Sequence, residues 1–254
     1  MPVLRQSVEA MEIKGKRVLI TGASRGLGRT LAFACATAGA REVFAGARKK
    51  EDIESLRTEA AAASAPITPV RLDVTVHAEV QSAARLGRAD ILINNAAIAV
   101  YGGPLDADFG HIRKEIDTNY LGVIRMVRAF APAMVEHGDG MIVNVATIFA
   151  KVNLPIVGTY CATKAALISL GQALRAHLSD KGVRVITVMP GTIDTDMSNG
   201  ADVRKMTKEF VAVEILKAIR EETLDQPIGD EALGIFAGLS KDALGMERLF
   251  AQIR

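Results

Sequence analysis

Tyr160 and Lys164 stand four residues apart in the run Tyr160-Cys161-Ala162-Thr163-Lys164. On a helix that spacing puts both side chains on one face, with the ammonium placed to stabilise a tyrosinate. A phenol has a pKa near 10, and lowering it by about 3 units to work near neutrality takes about 4 kcal/mol of differential stabilisation. Alone the pair is a weak signal. It gains weight from Thr147, thirteen residues earlier, which ends an apolar run; the carboxyl ends of strands are where open α/β sheets bind ligands. A second constellation is Thr21-Gly22-Ala23-Ser24-Arg25-Gly26-Leu27-Gly28. Glycines crowded between an apolar run and a helix start let backbone N–H groups approach a pyrophosphate, which the helix dipole favours. The same residues contain Gly22-x-Ser24-x-Gly26, the spacing of a nucleophile elbow. An elbow needs several strands before it, yet only one apolar run precedes residue 22, and no His follows His177. The phosphate cradle is the better reading.

These residues must be positioned by a scaffold, and the scaffold is legible. Short apolar, β-branched runs at Arg17 to Thr21, Glu42 to Ala45, Pro69 to Asp73, Asp90 to Asn94, Met141 to Val145 and Arg184 to Met189 are candidate strands, with helix-length segments between them. Continuous apolar strands alternating with helices predict a parallel sheet buried on both faces. The expected fold is α/β, a Rossmann-type doubly wound parallel sheet in three α/β/α layers. Ser24 marks the first helix start, Asp52 or its neighbours a charged helix ending near Ala63, and Asp106 to Asp108 a long helix through Met134. On that helix Ile116, Val123, Val127, Phe130 and Met134 form an apolar stripe suited to core or subunit interface. Another helix begins near Tyr160 and closes at Gly182, and a last one spans about Val203 to Arg220. The tail from Asp225 to Arg254, broken by Pro and Gly, has no clear pattern. Residues 1–13 read as a loosely held extension and residues 14–254 as one domain.

Composition narrows the function further. Thirty-one Lys+Arg against 29 Asp+Glu leave a net charge of +2, far from the positive field that grips nucleic acid or an anionic membrane. The longest uncharged run, Ile91 to Leu105, is interrupted by Asn94, Asn95, Gly102, Gly103 and Pro104 and falls short of the roughly 18 apolar residues of a membrane helix. The N-terminus shows no apolar core of a secretory signal, so a cytoplasmic address is expected. Two cysteines, Cys35 and Cys161, and four histidines without HExxH spacing give no metal site or disulfide framework; Cys161 reads as a packed small residue.

Taken together, the chain resembles the short-chain dehydrogenase/reductase family over about residues 14–200. The family's TGxxxGxG turn is Thr21 to Gly28, its NNAG motif Asn94-Asn95-Ala96-Ala97, its helix asparagine Asn119, its YxxxK motif Tyr160 to Lys164, and its PG motif with trailing threonine Pro190-Gly191 and Thr195. Ala97 replaces the motif's glycine, and Thr147 stands where the family has serine. The resemblance implies catalysis by Asn119, Thr147, Tyr160 and Lys164. A dinucleotide is expected on Gly22, Ser24, Arg25, Gly26, Leu27 and Gly28, on Asp73, Val74 and Asn95, and on Gly191, Ile193 and Thr195, with Tyr160 and Lys164 at its nicotinamide ribose. Asp73 is expected to touch adenine, its plainer role being a cap for the following helix. Residues from about 192 onward belong to the family's variable substrate loop and C-terminal segment.

In this reading Tyr160 donates a proton to a carbonyl oxygen as hydride arrives, the Thr147 hydroxyl holds that oxygen, and Asn119 orients a water that resupplies the proton. The second strand ends Phe44-Ala45-Gly46-Ala47-Arg48 with no carboxylate for ribose hydroxyls. Arg48 and Arg25 instead suit a 2′-phosphate, which makes NADP(H) the expected cofactor over NAD(H). Ile98, Val100, Ile148, Phe149, Val152, Ile156 and Met197 would surround the nicotinamide end and select an apolar ketone, aldehyde or alcohol; the plain alternative is core. The expected protein is a homodimer or homotetramer. The rival class is a catalytically weak dinucleotide-binding regulatory or scaffold protein on the same fold.

Overall fold

A computed structural model describes residues 11–200 and 203–253. The strands are β1 (Arg17–Ile20), β2 (Glu42–Ala47), β3 (Ile67–Arg71), β4 (Ile91–Asn94), β5 (Gly140–Val145), β6 (Val183–Pro190) and β7 (Asp225–Ile228). The helices are α1 (Gly26–Thr37), α2 (Lys50–Ala62), α3 (His77–Ala84), α4 (Phe109–Ile116), α5 (Gly122–His137), α6 (Gly158–Leu178), α7 (Lys208–Glu221), α8 (Asp230–Lys241) and α9 (Ala243–Phe250). The strands form one sheet in the order β3-β2-β1-β4-β5-β6-β7, and all its pairings are parallel. This is the doubly wound α/β fold the apolar runs predict.

Alternation along β1 shows how both faces are filled. Val18 and Ile20 join a core with Leu31 of α1 and Ile215 and Ile219 of α7, whereas Leu19 joins Met126 and Phe130 of α5 and Leu167 of α6 on the opposite face. Because successive strand side chains point to opposite faces, a strand covered on both sides is apolar throughout. Every parallel strand also ends at the same edge, and Thr21, Asn95, Thr147 and Gly191 all follow strand carboxyl ends there.

Several boundaries differ from the sequence reading. β3 starts at Ile67, so Pro69 lies inside it; at a sheet edge the missing N–H costs no ladder bond. α2 opens at Lys50 rather than Asp52, and α7 at Lys208 rather than Val203, its Thr207 side chain accepting the Phe210 N–H. The tail contains β7, hidden because only the last two residues of its short sequence DQPI are apolar, and α8 and α9. These two helices pack over the loop after β5: Ala232 and Ile235 meet Ile148 and Val152, and Phe250 meets Phe149 edge-on at 6.0 Å. Of the expected extension, residues 1–10 lie outside the described residues, while Met11 and Ile13 are core.

The long helix through Met134 is interrupted. Asp117–Leu121 is a π-helical turn between α4 and α5. One extra residue turns everything before it by about 100° relative to an unbroken helix. Val123, Val127, Phe130 and Met134 are buried as expected, but Ile116 is 42% exposed and its neighbour Glu115 takes the inward face at 0%.

Gly182 joins α6 to β6 with φ +74, and a Cβ there would run into the Gly138 carbonyl. Gly182→Ala is expected to lower the unfolding free energy by about 2–3 kcal/mol in urea denaturation; a loss below about 0.5 kcal/mol would show that the turn relaxes freely.

Candidate active site

The turn from β1 into α1 is cross-linked to the loop after β4. Thr21 Oγ1 accepts the N–H groups of Asn95 and Ala96, both at 3.0 Å, and the Asn95 amide donates to the carbonyls of Thr21 (3.0 Å) and Gly22 (3.1 Å). Space is so tight that a Cβ on Gly22 (φ +68) would stand 2.8 Å from Ala96 Cα, and one on Gly28 would strike the Gly22 carbonyl and the Asn95 amide. Ser24 does not cap α1; the N-cap position is Arg25, without a side-chain cap bond, and the first turn carries no acid. The leading amides at Gly26, Leu27 and Gly28 are therefore left for an anion, as a pyrophosphate cradle requires. Across from them, Thr195 Cγ2 lies 3.4 Å from where a Gly26 Cβ would be.

Asp73 and Arg25 are among the residues expected to meet the adenosine part of a dinucleotide. Asp73 accepts the N–H (2.9 Å) and hydroxyl (2.7 Å) of Thr75. It thus makes a local turn instead of capping α3, whose N-cap position is Val76. Arg25 is ion-paired with Asp196 at 3.1 Å, both largely exposed; such a pair contributes little and exchanges easily. Arg48 is exposed just beyond β2, and the Ala23 N–H bonded to Gly46 O at 2.8 Å ties the glycine turn to that strand. Val74 is buried beneath the π-helical turn, where a Cβ on Gly122 would meet its Cγ2 at 2.6 Å.

The ends of β5 and β6 hold Lys164 and Thr147 respectively, with Tyr160 beside Lys164 and Asn119 joined to the same helix through Thr163. Lys164 is only 2% exposed; its Nζ donates to Val145 O at 2.7 Å and stands 5.7 Å from the Tyr160 ring centre. Burial lowers its pKa to about 8. Burial, reinforced by the charges of Cys161, Glu115 and Tyr101, pushes the Tyr160 phenol above its ordinary value. In the protein alone Tyr160 is therefore a protonated donor at neutral pH, not a tyrosinate. Thr147 is buried; its hydroxyl donates to Pro190 O at 3.2 Å and accepts the Phe149 N–H at 3.4 Å.

The Asn119 side chain ties the loop after β4 to α6. Its side chain accepts the Ile98 N–H (2.9 Å) and donates to Ile98 O (2.8 Å) and Thr163 Oγ1 (3.0 Å). Thr163 in turn donates to Tyr160 O at 2.7 Å. These bonds use both amide hydrogens and one of the two Oδ1 lone pairs of Asn119 to hold the loop after β4. The sequence reading missed Glu115, one turn earlier, whose Oε1 accepts the Val100 N–H at 2.7 Å. Its spacing of four from Asn119 was the available signal. Among the described residues its Oε2 has no partner.

Ile98 and Val100 line a cavity of about 340 Å³ with Tyr101, His111 and Lys114 at its sides. Ile148 and Val152, expected around the nicotinamide end, are core beneath α8, and Met197 is 38% exposed. Tyr101 spans the gap by donating its hydroxyl to Met197 O. Among the described residues no helix is long and apolar enough to cross a membrane, and no group of three or more His, Cys, Asp or Glu could hold a metal ion.

Comparison with known proteins gives the arrangement a context. A family model described as short chain dehydrogenase matches residues 16–205. The Short chain dehydrogenase pigC of Monascus ruber is 33% identical over 216 residues, 80% of this chain and 71% of that protein. The Dehydrogenase/reductase SDR family member 7B of Danio rerio is 35% identical over 199 residues, 74% of this chain; the match spans 64% of that relative, less than two thirds of its length. A crystal structure of a short chain dehydrogenase from Burkholderia cenocepacia in complex with NADP superposes with a TM-score of 0.87 at 36% identity, over 94% of this chain and 99% of that one.

The buried ammonium has a measurable signature. Its pKa falls from 10.5 to about 8 on folding, so between those values the unfolded chain binds more protons and stability rises with pH. Below about pH 8 the cost is full, near 3 kcal/mol, offset in a Lys164→Met variant by about 1 kcal/mol for the orphaned Val145 carbonyl. Lys164→Met is expected to be more stable than the parent at pH 7 by about 2 kcal/mol, the gap closing as pH rises from 8 to 10.5. A less stable variant at pH 7 in paired denaturation curves would refute the cost.

Proposed function

Because this chain belongs to the short chain dehydrogenase family, we propose that it is an NADP(H)-dependent oxidoreductase interconverting an apolar ketone or aldehyde with its alcohol, with Tyr160 as the general acid and base. What supports the reading is Lys164 seated on the end of β5 beside Tyr160, Thr147 bonded to the end of β6, and an α1 N-terminus lined by glycines with no side-chain cap. The residues fit a dinucleotide: Gly26, Leu27 and Gly28 would take the pyrophosphate, Asp73, Val74 and Asn95 the adenosine side, and Gly191, Ile193 and Thr195 the nicotinamide side. Bound there, the nicotinamide supplies or accepts the hydride.

The chain's own groups supply the rest. In reduction the protonated Tyr160 gives its proton to the carbonyl oxygen, and a phenol that burial holds in the acid form suits that direction. The Thr147 hydroxyl turns from Pro190 O to the same oxygen and stabilises the charge growing on it. Lys164 has two ammonium hydrogens beyond the one given to Val145, enough for the ribose and for lowering the Tyr160 anion in energy. Asn119 and Glu115 hold the Ile98–Val100 wall against which an apolar substrate would rest. We further take the protein to be a cytoplasmic homodimer or homotetramer.

The NADP(H) preference rests on Arg48, exposed beyond β2 in a stretch that also carries Glu51 and Asp52, and on Arg25 exchanging Asp196 for a 2′-phosphate. The NADP held by the Burkholderia cenocepacia relative is consistent with it. NADPH is expected to exceed NADH at least tenfold in kcat/KM with a panel of ketones and aldehydes, and Arg48→Ala to remove about 1.4 kcal/mol of that preference. Equal values for the two dinucleotides would sink the cofactor assignment, and binding without turnover on any carbonyl would favour the regulatory reading.

Threonine at 147 keeps the hydroxyl while its methyl restricts χ1 and narrows the pocket. Thr147→Val is expected to lower kcat/KM roughly a hundredfold, the scale of one oxyanion donor, Thr147→Ser to stay active on bulkier ketones, and Tyr160→Phe to abolish turnover. Full activity in Thr147→Val would remove that hydroxyl from the mechanism.

A further inference from the structure

A carboxylate from the C-terminal tail is seated on the segment that leaves β6. Glu231, in the first turn of α8, accepts the Thr192 N–H through Oε2 at 2.5 Å and the Thr192 hydroxyl through Oε1 at 3.3 Å. A Cβ on Gly191 would run into that same carboxylate, so Gly191 is required by the approach of α8. The rest of the segment is held by backbone: Gly191 N–H to Ile228 O at 3.2 Å, Met206 N–H to Thr192 O at 2.9 Å, and Asp194 N–H to Met206 O at 2.8 Å. At its start Pro190 O receives the Thr147 hydroxyl, and at its end Thr195 faces the glycine turn. The strap of residues 190–195 thus runs from the proton-donor side of the site to the pyrophosphate cradle, and Glu231 bonds to its middle.

We propose that Glu231 is a positioning residue for the nicotinamide half of the dinucleotide: by accepting both donors of Thr192 it fixes the strap beside Thr147, which makes α8 part of the cofactor site. The proposal rests on the dinucleotide reading above. A charge-assisted bond to a backbone amide is among the stronger ones a side chain makes, and without it the Thr192 amide is orphaned and the strap must be ordered on binding. Among the described residues Asp73, Val74 and Asn95, assigned to the adenosine side, make no hydrogen bond to residues 190–195, so the loss should register chiefly at the nicotinamide end.

The test separates these ends. Kd is measured by fluorescence titration for NADPH and for 2′-phospho-ADP-ribose, which lacks the nicotinamide ring, and hydrogen exchange at the Thr192 amide is followed in the protein alone. Glu231→Asp keeps an acid in the first turn of α8, favourable to the helix dipole, but draws the carboxylate back by one methylene; Glu231→Ala removes it. Both are expected to weaken NADPH about tenfold, to leave 2′-phospho-ADP-ribose within twofold, and to speed Thr192 exchange at least tenfold. Glu231→Gln can accept the amide through Oε1 and donate to the hydroxyl through Nε2, and is expected to bind NADPH within threefold of the parent. Unchanged exchange at Thr192 in Glu231→Asp overturns the proposal whatever the ligands do. So does equal weakening of both ligands, which would make Glu231 a contributor to the fold alone. A parent that binds neither ligand would refute the dinucleotide reading and leave the exchange result to decide whether Glu231 holds the strap.

Discussion

Thr21 and Asn95 fix the distance between two loops that the sheet would otherwise let part. The strand order turns back between β1 and β4, and at such a reversal the outgoing connections diverge and open a crevice. Here one hydroxyl accepts two amides and one side-chain amide donates to two carbonyls across that gap. Each bond is worth only about 1 kcal/mol net, but leaving any of these groups orphaned costs more, so the spacing has one good solution. The contact of Gly22 with Ala96 and the aim of the α1 amides follow from it. So does the course of the loop carrying Ile98 and Val100, which Asn119 and Glu115 then hold and which links through Thr163 to Tyr160.

Above that crevice the molecule buries charge where a purely stable fold would place apolar groups. Lys164 is nearly sealed, its ammonium bonded to the Val145 carbonyl, and Glu115 is fully buried with one oxygen unpartnered among the described residues. Neither arrangement is explained by stability, since an ion out of water is costly unless well paired. Each bears on the Tyr160 phenol: the Glu115 charge opposes its anion, and the Lys164 ammonium, 5.7 Å from the ring centre, favours it. Surrounding aliphatic packing, such as Leu167 and Ile168 on α6, supplies the stability that this corner gives up.

The fold was legible because both sheet faces are covered, which leaves long apolar runs that no loop would carry; β7 escaped because in its four residues DQPI only Pro227 and Ile228 are apolar, too few to make a run. The glycine turn and the Tyr160–Lys164 pair were legible because their chemistry depends on local spacing. What depends on long-range placement was not. Nothing in the sequence around Glu231 tells that α8 returns to Thr192, and nothing around Arg25 tells that Asp196 is its neighbour. Asn119 was found but its side-chain partners were not, because they lie 21 and 44 positions away.

The π-helical turn at Asp117–Leu121 gives the molecule a kind of modularity. Without it, α4 and α5 would be one rod with a single phase, and any change suiting one face would have to suit the other. With it, α5 keeps its register on the sheet while α4 presents Glu115 to the loop after β4 on its own terms. A sequence drifting under selection can therefore revise residues 108–116, and with them the wall near Val100, without renegotiating the packing of Met126 and Phe130. One extra residue in a helix thus uncouples what the scaffold conserves from what it is free to vary.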